Sequence, residues 1–205
     1  MRRSSGSSTA RSPLVVATLN RAKGRELLEL LGDLPWDVSL LADRPGATLP
    51  EETGLTYAEN ALIKARAGAR ATGATALADD SGVEVDALDG GPGLYSARWG
   101  GAGLDDAGRN ALLLERLRDV PPARRTARYR CVIAVVHPDG REGVVEGTCE
   151  GLIAAAPRGR GGFGYDPIFF FPPLNRTLAE VGAEVKHGVS HRGIAARAAR
   201  TLLGG

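Results

Sequence analysis

An α/β fold with one mixed sheet is what the chain predicts, on three observations. Short apolar runs alternate with capped helical stretches over the first eighty residues, the pattern of parallel strands joined by crossover helices. Arg128 to Val136 and Glu142 to Ile153 then flank His137-Pro138-Asp139-Gly140, which reads as a long antiparallel hairpin. At 205 residues, 43% hydrophobic and 24% charged, the chain can bury one core, divided at most into two lobes.

The elements follow in order. Leu14 to Thr18 is a buried strand, and Asn20 caps a helix over Arg21 to Leu31 whose Leu27, Leu28 and Leu31 share a face. Trp36 to Leu41 is a second strand, and Pro45, Gly46 and Pro50 make Arg44 to Gly54 a loop. Thr56 and Glu59 form a capping box for a helix that Gly73 ends. Thr75 to Ala78 is a strand that delivers Asp79 and Asp80 at its exit, with a turn at Gly82. Val83 and Val85 belong to a half-buried strand, and Asp89 to Gly93 is a flexible loop. Asn110 to Arg118 is a short helix with Leu112, Leu113 and Leu117 inward. Behind the hairpin and a glycine-rich loop, Ile168 to Phe171 is a strand stopped by Pro172-Pro173. Ser190 caps a last helix through Leu203, with Ile194, Ala198 and Leu202 on one face.

Composition excludes several classes. No window approaches 18 uninterrupted apolar residues, so no membrane helix is expected, and the protein should be soluble. A net charge of +2, with basic residues dispersed, argues against a nucleic-acid surface. Residues 1–13 are rich in Arg and Ser but lack the apolar residues of a targeting helix; a disordered tail is expected there, leaving 14–205 as one domain. Cys131 and Cys149, on the two hairpin arms, read as buried free thiols, and two cysteines with three histidines are too few for a structural zinc cluster. Of 26 basic residues only Lys23, Lys64 and Lys186 are lysine, which suggests a compact point charge at those positions; chance retention is the even alternative.

Four segments carry chemistry. Thr18, Asn20 and Lys23 surround a helix N-terminus suited to an anion, although an ordinary capped helix has the same spelling. Asp79-Asp80 can hold a hard cation with Glu52 as second ligand, since magnesium needs only one or two carboxylates when phosphates complete its shell; a solvated pair is the plain competitor. The glycines of Gly161 to Gly164 can let a flat base lie on backbone beside Phe163, braced by Tyr165 and Asp166. His191-Arg192 sits in the first turn of a helix, where the dipole disfavours cations, so its placement asks for another reason. Gly159-x-Gly161-x-x-Gly164 spells a dinucleotide fingerprint, but Asp166-Pro167 follows where that motif needs a helix. Nucleophile-elbow and Walker motifs are absent, leaving hydrolysis by metal-activated water.

These residues together resemble the inosine triphosphate pyrophosphatase family, the dITP/XTP pyrophosphatases, from about Leu14 to Leu203. The likeness runs through Ala17 to Lys23, Glu51 to Gly54, Glu59-Asn60-Ala61 with Lys64-Ala65, Asp79 to Gly82, Pro92 to Arg98, Gly161 to Phe169, and Lys186 with Ser190-His191-Arg192. The resemblance implies a two-lobed fold with an elongated mixed sheet flanked by helices, a cleft between the lobes, a cytoplasmic homodimer, and Mg²⁺-dependent cleavage of ITP, dITP and XTP to monophosphate and pyrophosphate, with Mn²⁺ as the other candidate metal. It implies that Thr18, Leu19, Asn20, Arg21, Ala22 and Lys23 hold the phosphates and that Glu52 and Asp80 bind magnesium, with Asp80 as proton acceptor. Lys23 would stabilise the departing pyrophosphate. Ser81, Phe163, Gly164, Tyr165, Asp166, Lys186, His191 and Arg192 would contact the nucleotide, His191 and Arg192 donating to its 6-oxo group. Leu19 departs from the family, standing where glycine is frequent. A pyrophosphatase for pyrimidine or modified triphosphates, as in the Maf-like relatives, and a nucleotide sensor without turnover are the alternatives.

Overall fold

Residues 11–101 and 103–204 are described in the computed structural model. In chain order the elements are β1 (Ser12–Val16), α1 (Arg21–Leu31), β2 (Trp36–Leu40), α2 (Tyr57–Thr72), β3 (Thr75–Val85), α3 (Asp106–Arg116), β4 (Thr126–Val136), β5 (Glu142–Ile153), β6 (Phe169–Phe171), β7 (Arg176–Thr177), α4 (Ala183–Val189) and α5 (His191–Ala199). The strands form one mixed sheet in the order β2-β1-β3-β4-β5-β6-β7. β2, β1 and β3 are parallel and β3 to β7 antiparallel; one end of β3 and β4 packs with β1, α1, α2 and α5 in one lobe, and the other end (Val83, Val85, Ala127, Tyr129) packs with Cys149, Ile153 and Phe169 in the second. Among the described residues no helix is long and apolar enough to cross a membrane.

The caps read from sequence are in place. Asn20 accepts from the backbone N–H groups of Ala22 and Lys23, Thr56 and Glu59 complete their capping box, and Gly73 closes α2 at φ 66°. Other expectations need correction. The disordered tail expected over 1–13 does not include Ser12 and Pro13, which pair with Trp36 and Asp37 in the sheet; its residues 1–10 lie outside the described ones. Pro13 has no partner in β3, so its missing N–H leaves that ladder intact.

β3 does not stop at Ala78. It continues for 11 residues, which places Asp79 and Asp80 mid-strand, with no turn at Gly82. Gly82 answers a different need: a Cβ there would collide with the Gly93 carbonyl, the Tyr57 hydroxyl and Ser96 Oγ, so glycine lets the 3₁₀ turn at Gly93–Arg98 lie against the strand. α3 begins four residues before the expected Asn110, capped by Asp105, and α4 and β7 carry no cue long enough to read. The inner face of α5 is Arg192, Ala195, Ala196 and Ala199, continuing to Leu203 in a 3₁₀ turn, whereas Ile194, Ala198 and Leu202 are only half-buried. An alanine-rich helix offers several apolar stripes, and contact with β5 selects among them. At that contact Gly147 lies so close to α5 that a Cβ would meet the His191 carbonyl and the Ala195 N–H. The two cysteines are free and buried, and each faces another residue, Cys131 opposite Gly147 and Cys149 opposite Tyr129.

Side chains alternate across the sheet as the pleat requires. Leu77, Cys131, Ile133 and Val135 pack with Leu27 and Leu31 of α1 and Ala195, Ala196 and Ala199 of α5. Ala76, Ala78, Val132 and Ala134 pack instead with Tyr57, Ala61, Ala65 and Ala69 of α2. β1 meets β3 only over Leu14–Val16 and Thr75–Leu77, whereas β4 follows β3 out to Val85. From Asp79 to Ser81 β3 therefore has a strand neighbour on one edge only, and the cleft between the lobes opens on the other; farther along, that edge is covered by the segment that bridges Glu84 to Pro92.

Buried ions fasten the helices to that strand. Arg192, 2% exposed, donates from Nε and Nη2 to Asp79 Oδ2 at 3.2 and 3.0 Å, from Nη1 to Glu26 Oε2 at 2.7 Å, and from Nη2 to Ser81 Oγ at 3.0 Å. Lys186 of α4 donates to Glu26 at 2.6 Å and to Asp166 at 2.6 Å. Burial alone would raise the Asp79 pKa, but the charges of Lys23, Arg192 and Lys64 outweigh it and hold the carboxyl well below the ordinary aspartate range.

Two outcomes follow from this packing. Gly147→Ala should lower stability by about 1–3 kcal/mol, because both atoms it strikes are backbone of the helix start; the thermal midpoint measures it. A depressed folded pKa means that Asp79 contributes stability above its unfolded value, roughly pH 4, and that this is lost as pH falls toward the folded pKa. Asp79→Asn should thus cost about 3 kcal/mol at neutral pH and show a shallower loss of stability below pH 4 than the wild type, as read by urea unfolding at successive pH values.

Candidate active site

The cleft holds a cavity of about 420 Å³, within the range of small-molecule sites. Its walls come from both lobes: Thr18, Leu19, Asn20 and Lys23 from the start of α1, Glu52 from the loop before α2, Asp80 and Ser81 from the open edge of β3, Phe163 to Asp166 from the glycine loop, and Lys186, His191 and Arg192 from α4 and α5. Arg21 and Ala22 are absent from the lining. Helical rotation turns Arg21 outward, where it donates to Asp43 at 2.7 Å and to the Ala42 carbonyl at 3.1 Å. Asp79, anticipated with Asp80 as a holder of a cation, is absent too, because Lys23 and Arg192 take its carboxylate on the other side of the strand; the remaining candidates line one space.

At the end formed by α1, the expectation of free N–H groups at the start of the helix is only partly met. Asn20 Oδ1 accepts from Ala22 N at 3.0 Å and from Lys23 N at 3.1 Å, and Thr18 Oγ1 accepts from Asn20 N at 3.2 Å. Attraction for an anion therefore rests on the helix dipole and on the Lys23 ammonium, 3.4 Å from Asp79. Leu19 projects 47% exposed at the mouth, outside the core, so its side chain costs the fold nothing.

Asp79 and Asp80 serve different sides of the sheet. Asp79 turns toward α1 and α5 and is consumed by Arg192 and Lys23; its Oδ1 has no partner among the described residues. Asp80 turns toward α2, where Asn60 donates to Oδ2 at 3.2 Å and Lys64 approaches Oδ1 to 3.7 Å. The same Lys64 Nζ lies 2.5 Å from Glu52. Two carboxylates thus converge on one point of positive charge, a hard-oxygen donor pair that could hold a divalent cation. Burial raises the pKa of Asp80 despite Lys64 and Lys23, and Glu52 adds to the rise. Lys64 is held above the ordinary lysine range, because Asp79, Asp80 and Glu52 outweigh its burial.

At the far end, the ring of Phe163 lies 5.0 Å from Lys186 Nζ and 5.5 Å from the Arg192 guanidinium carbon. Asp166 Oδ2 accepts from Phe163 N at 2.9 Å, and its carboxylate fills the place where Gly162, at φ 69°, would carry a Cβ. That glycine is therefore required by the loop's own brace. Asp106 accepts from Gly164 N at 2.7 Å, Asn110 donates to its carbonyl at 3.1 Å, and Tyr165 donates to the Ser96 carbonyl at 2.9 Å. Ser190 caps α5 through Gly193 N. His191 is buried, with Nδ1 unpartnered among the described residues; burial first, then Arg192 and Lys186, hold its pKa well below the ordinary value, so the imidazole is neutral.

Sequence reasoning singled out Lys64 without giving it a role in the site, and it missed Asn60, Glu26 and Tyr129. Lys64 had a signal, being one of three lysines, and Asn60 lies one helical turn before it on the same face of α2. Glu26 stands three residues after Lys23 on α1, a spacing that places both on the cleft side. Tyr129 reads as any inward strand residue.

Residues 14–202 match the model of the Ham1 family. A Desulforamulus reducens protein named dITP/XTP pyrophosphatase is 51% identical over 190 residues, covering 93% of this chain and 94% of the relative. A Thermus thermophilus protein of the same name is 51% identical over 185 residues, covering 90% and 88%. Among solved structures, a HAM1 protein from Coxiella burnetii superposes with a TM-score of 0.83 at 41% identity, covering 94% of this chain and 98% of that one. A nucleoside-triphosphatase, dITP/XTP pyrophosphatase, from Mycobacterium abscessus does so with a TM-score of 0.72 at 46% identity, covering 93% and 98%. The resemblance read from the motifs is borne out, and the chain belongs to the Ham1 family.

Proposed function

We propose that this chain hydrolyses deaminated purine nucleoside triphosphates, ITP, dITP and XTP, to the monophosphate and pyrophosphate, removing them from the nucleotide pool. One observation carries the reading: a single cleft has carboxylates and lysines at one end and buried, pre-positioned donors beside an aromatic ring at the other. The names of its relatives, dITP/XTP pyrophosphatase, agree with it.

Glu52 and Asp80 would hold Mg²⁺, or Mn²⁺, which when bound supplies charge neutralisation for the triphosphate and a more acidic water. Asp80 would accept the proton of the water that attacks the α-phosphorus, from the place at the cavity where Asn60 and Lys64 hold its carboxylate. Lys23 and the N-terminus of α1 balance the charge of the departing pyrophosphate. Lys64, between Glu52 and Asp80, keeps the two carboxylates together.

Discrimination against adenine rests on the number of donors, whereas guanine shares the 6-oxo group and has to be rejected at its 2-position. Arg192 has five N–H groups, and the contacts to Asp79, Glu26 and Ser81 take four, one from Nε, one from Nη1 and two from Nη2. The remaining N–H, with His191, is available to a 6-oxo group. Adenine presents a 6-amino donor there, and unpaired buried donors can reject a substrate by roughly 10⁴-fold. A cytoplasmic homodimer is part of the same proposal, drawn from family membership.

Incubation with ITP, XTP, GTP and ATP should give IMP and XMP with pyrophosphate and little GMP or AMP, EDTA should abolish turnover, and Mg²⁺ should restore it. Stepwise phosphate release would instead indicate another phosphohydrolase, and no turnover a sensor. Asp80→Asn should lower kcat by about 10²-fold or more while circular dichroism stays that of the wild type; unchanged turnover in a folded variant would remove Asp80 from the chemistry.

A further inference from the structure

His191 lacks the usual device that orients a functional imidazole. In most sites one ring nitrogen bonds to a carboxylate or carbonyl, which fixes both the tautomer and the ring plane. Here Nδ1 is buried with no partner among the described residues, and no ion pair or hydrogen bond from a described residue holds the ring. What holds it is an aromatic face. The ring of Tyr129 lies parallel to it, with centroids 4.4 Å apart and an interplanar angle of 6°. Tyr129 is itself gripped on another side by the fully buried Phe169, at 4.6 Å and 41°. A relay of three rings thus runs from β6 through β4 to the start of α5, and Tyr129 borders the cavity beside His191.

We infer that Tyr129 is a positioning residue for base selection: its ring sets the plane of His191, so that the imidazole meets the 6-position of the purine edge-on. The inference rests on the reading of the cleft as a site for 6-oxo purine triphosphates. Tyr129 needs no contact with the reacting atoms, and its effect passes through His191. Burial and the adjacent guanidinium keep that imidazole neutral, so the contact is a parallel stack of two neutral rings and not a cation over a ring face. Loss of an aromatic pair of this kind corresponds to about tenfold in an equilibrium, and the loss should fall on the substrate that uses His191.

The test is a double-mutant cycle in the intact protein, reading the ratio of kcat/KM for ITP to that for ATP. Tyr129→Leu should reduce the ratio about tenfold, Tyr129→Phe should preserve it, and in a His191→Ala background Tyr129→Leu should change it no further. Equal losses on both substrates, a loss that persists without His191, or failure of phenylalanine to preserve the ratio would overturn the positioning role and leave the reading of the cleft intact. A wild-type protein with no preference for ITP would overturn both. Should Tyr129→Leu fail to fold, as thermal unfolding would reveal, Tyr129→Met removes the flat face at similar volume, and the same ratio decides.

Discussion

Everything at the cleft depends on one buried guanidinium. Arg192 cannot shed its proton, and at 2% exposure it cannot be hydrated, so the fold has to surround it with acceptors. It does so with Asp79 from the central strand, Glu26 from α1 and Ser81 from the open edge of β3. Each of those acceptors lies on an element that also presents a group to the cavity. The requirement to satisfy one charge therefore fixes the relative placement of α1, β3 and α5. Breaking such a network costs far more than its net contribution to stability, because a partner is left buried and unpaired.

Adjacent aspartates divide their duties because a strand alternates its faces. Asp79 goes to the α1/α5 side and is neutralised there, and Asp80 goes to the α2 side, where burial raises its pKa and Asn60 and Lys64 aim it. Both remain close to one cavity because β1 stops at Val16 and leaves that edge of β3 open. An unpaired edge is ordinarily a liability; here the start of α1, the glycine loop and the two C-terminal helices gather around it, and the open edge becomes the floor of a site.

Wherever chemistry is local, the sequence was legible. Asn20, the Thr56 and Glu59 box, Gly73 and Ser190 all cap the helices expected of them, because a cap needs only neighbours a few residues away. The hairpin of β4 and β5 was readable for the same reason. Misreadings fell where a distant partner decides. Gly82 looked like a turn, yet its glycine serves a close approach by a segment eleven residues later, at Gly93. The inner stripe of α5 was ambiguous among alanines until Gly147 of β5 settled it.

The sequence by itself determined the class of fold, the strong caps, the family and nearly the whole list of groups in the cleft, since each is written in spacing or in short motifs. Tertiary structure alone decided what those groups do to one another. It turned Asp79 into a buried acceptor and left Asp80 facing the cavity, drew Lys64 between Glu52 and Asp80, and stacked Tyr129 on His191. It also spent four of the five Arg192 donors inside the protein. The physical reason is the same each time: charge state and hydrogen-bond capacity depend on burial and on partners up to 166 residues away, and no local pattern encodes them.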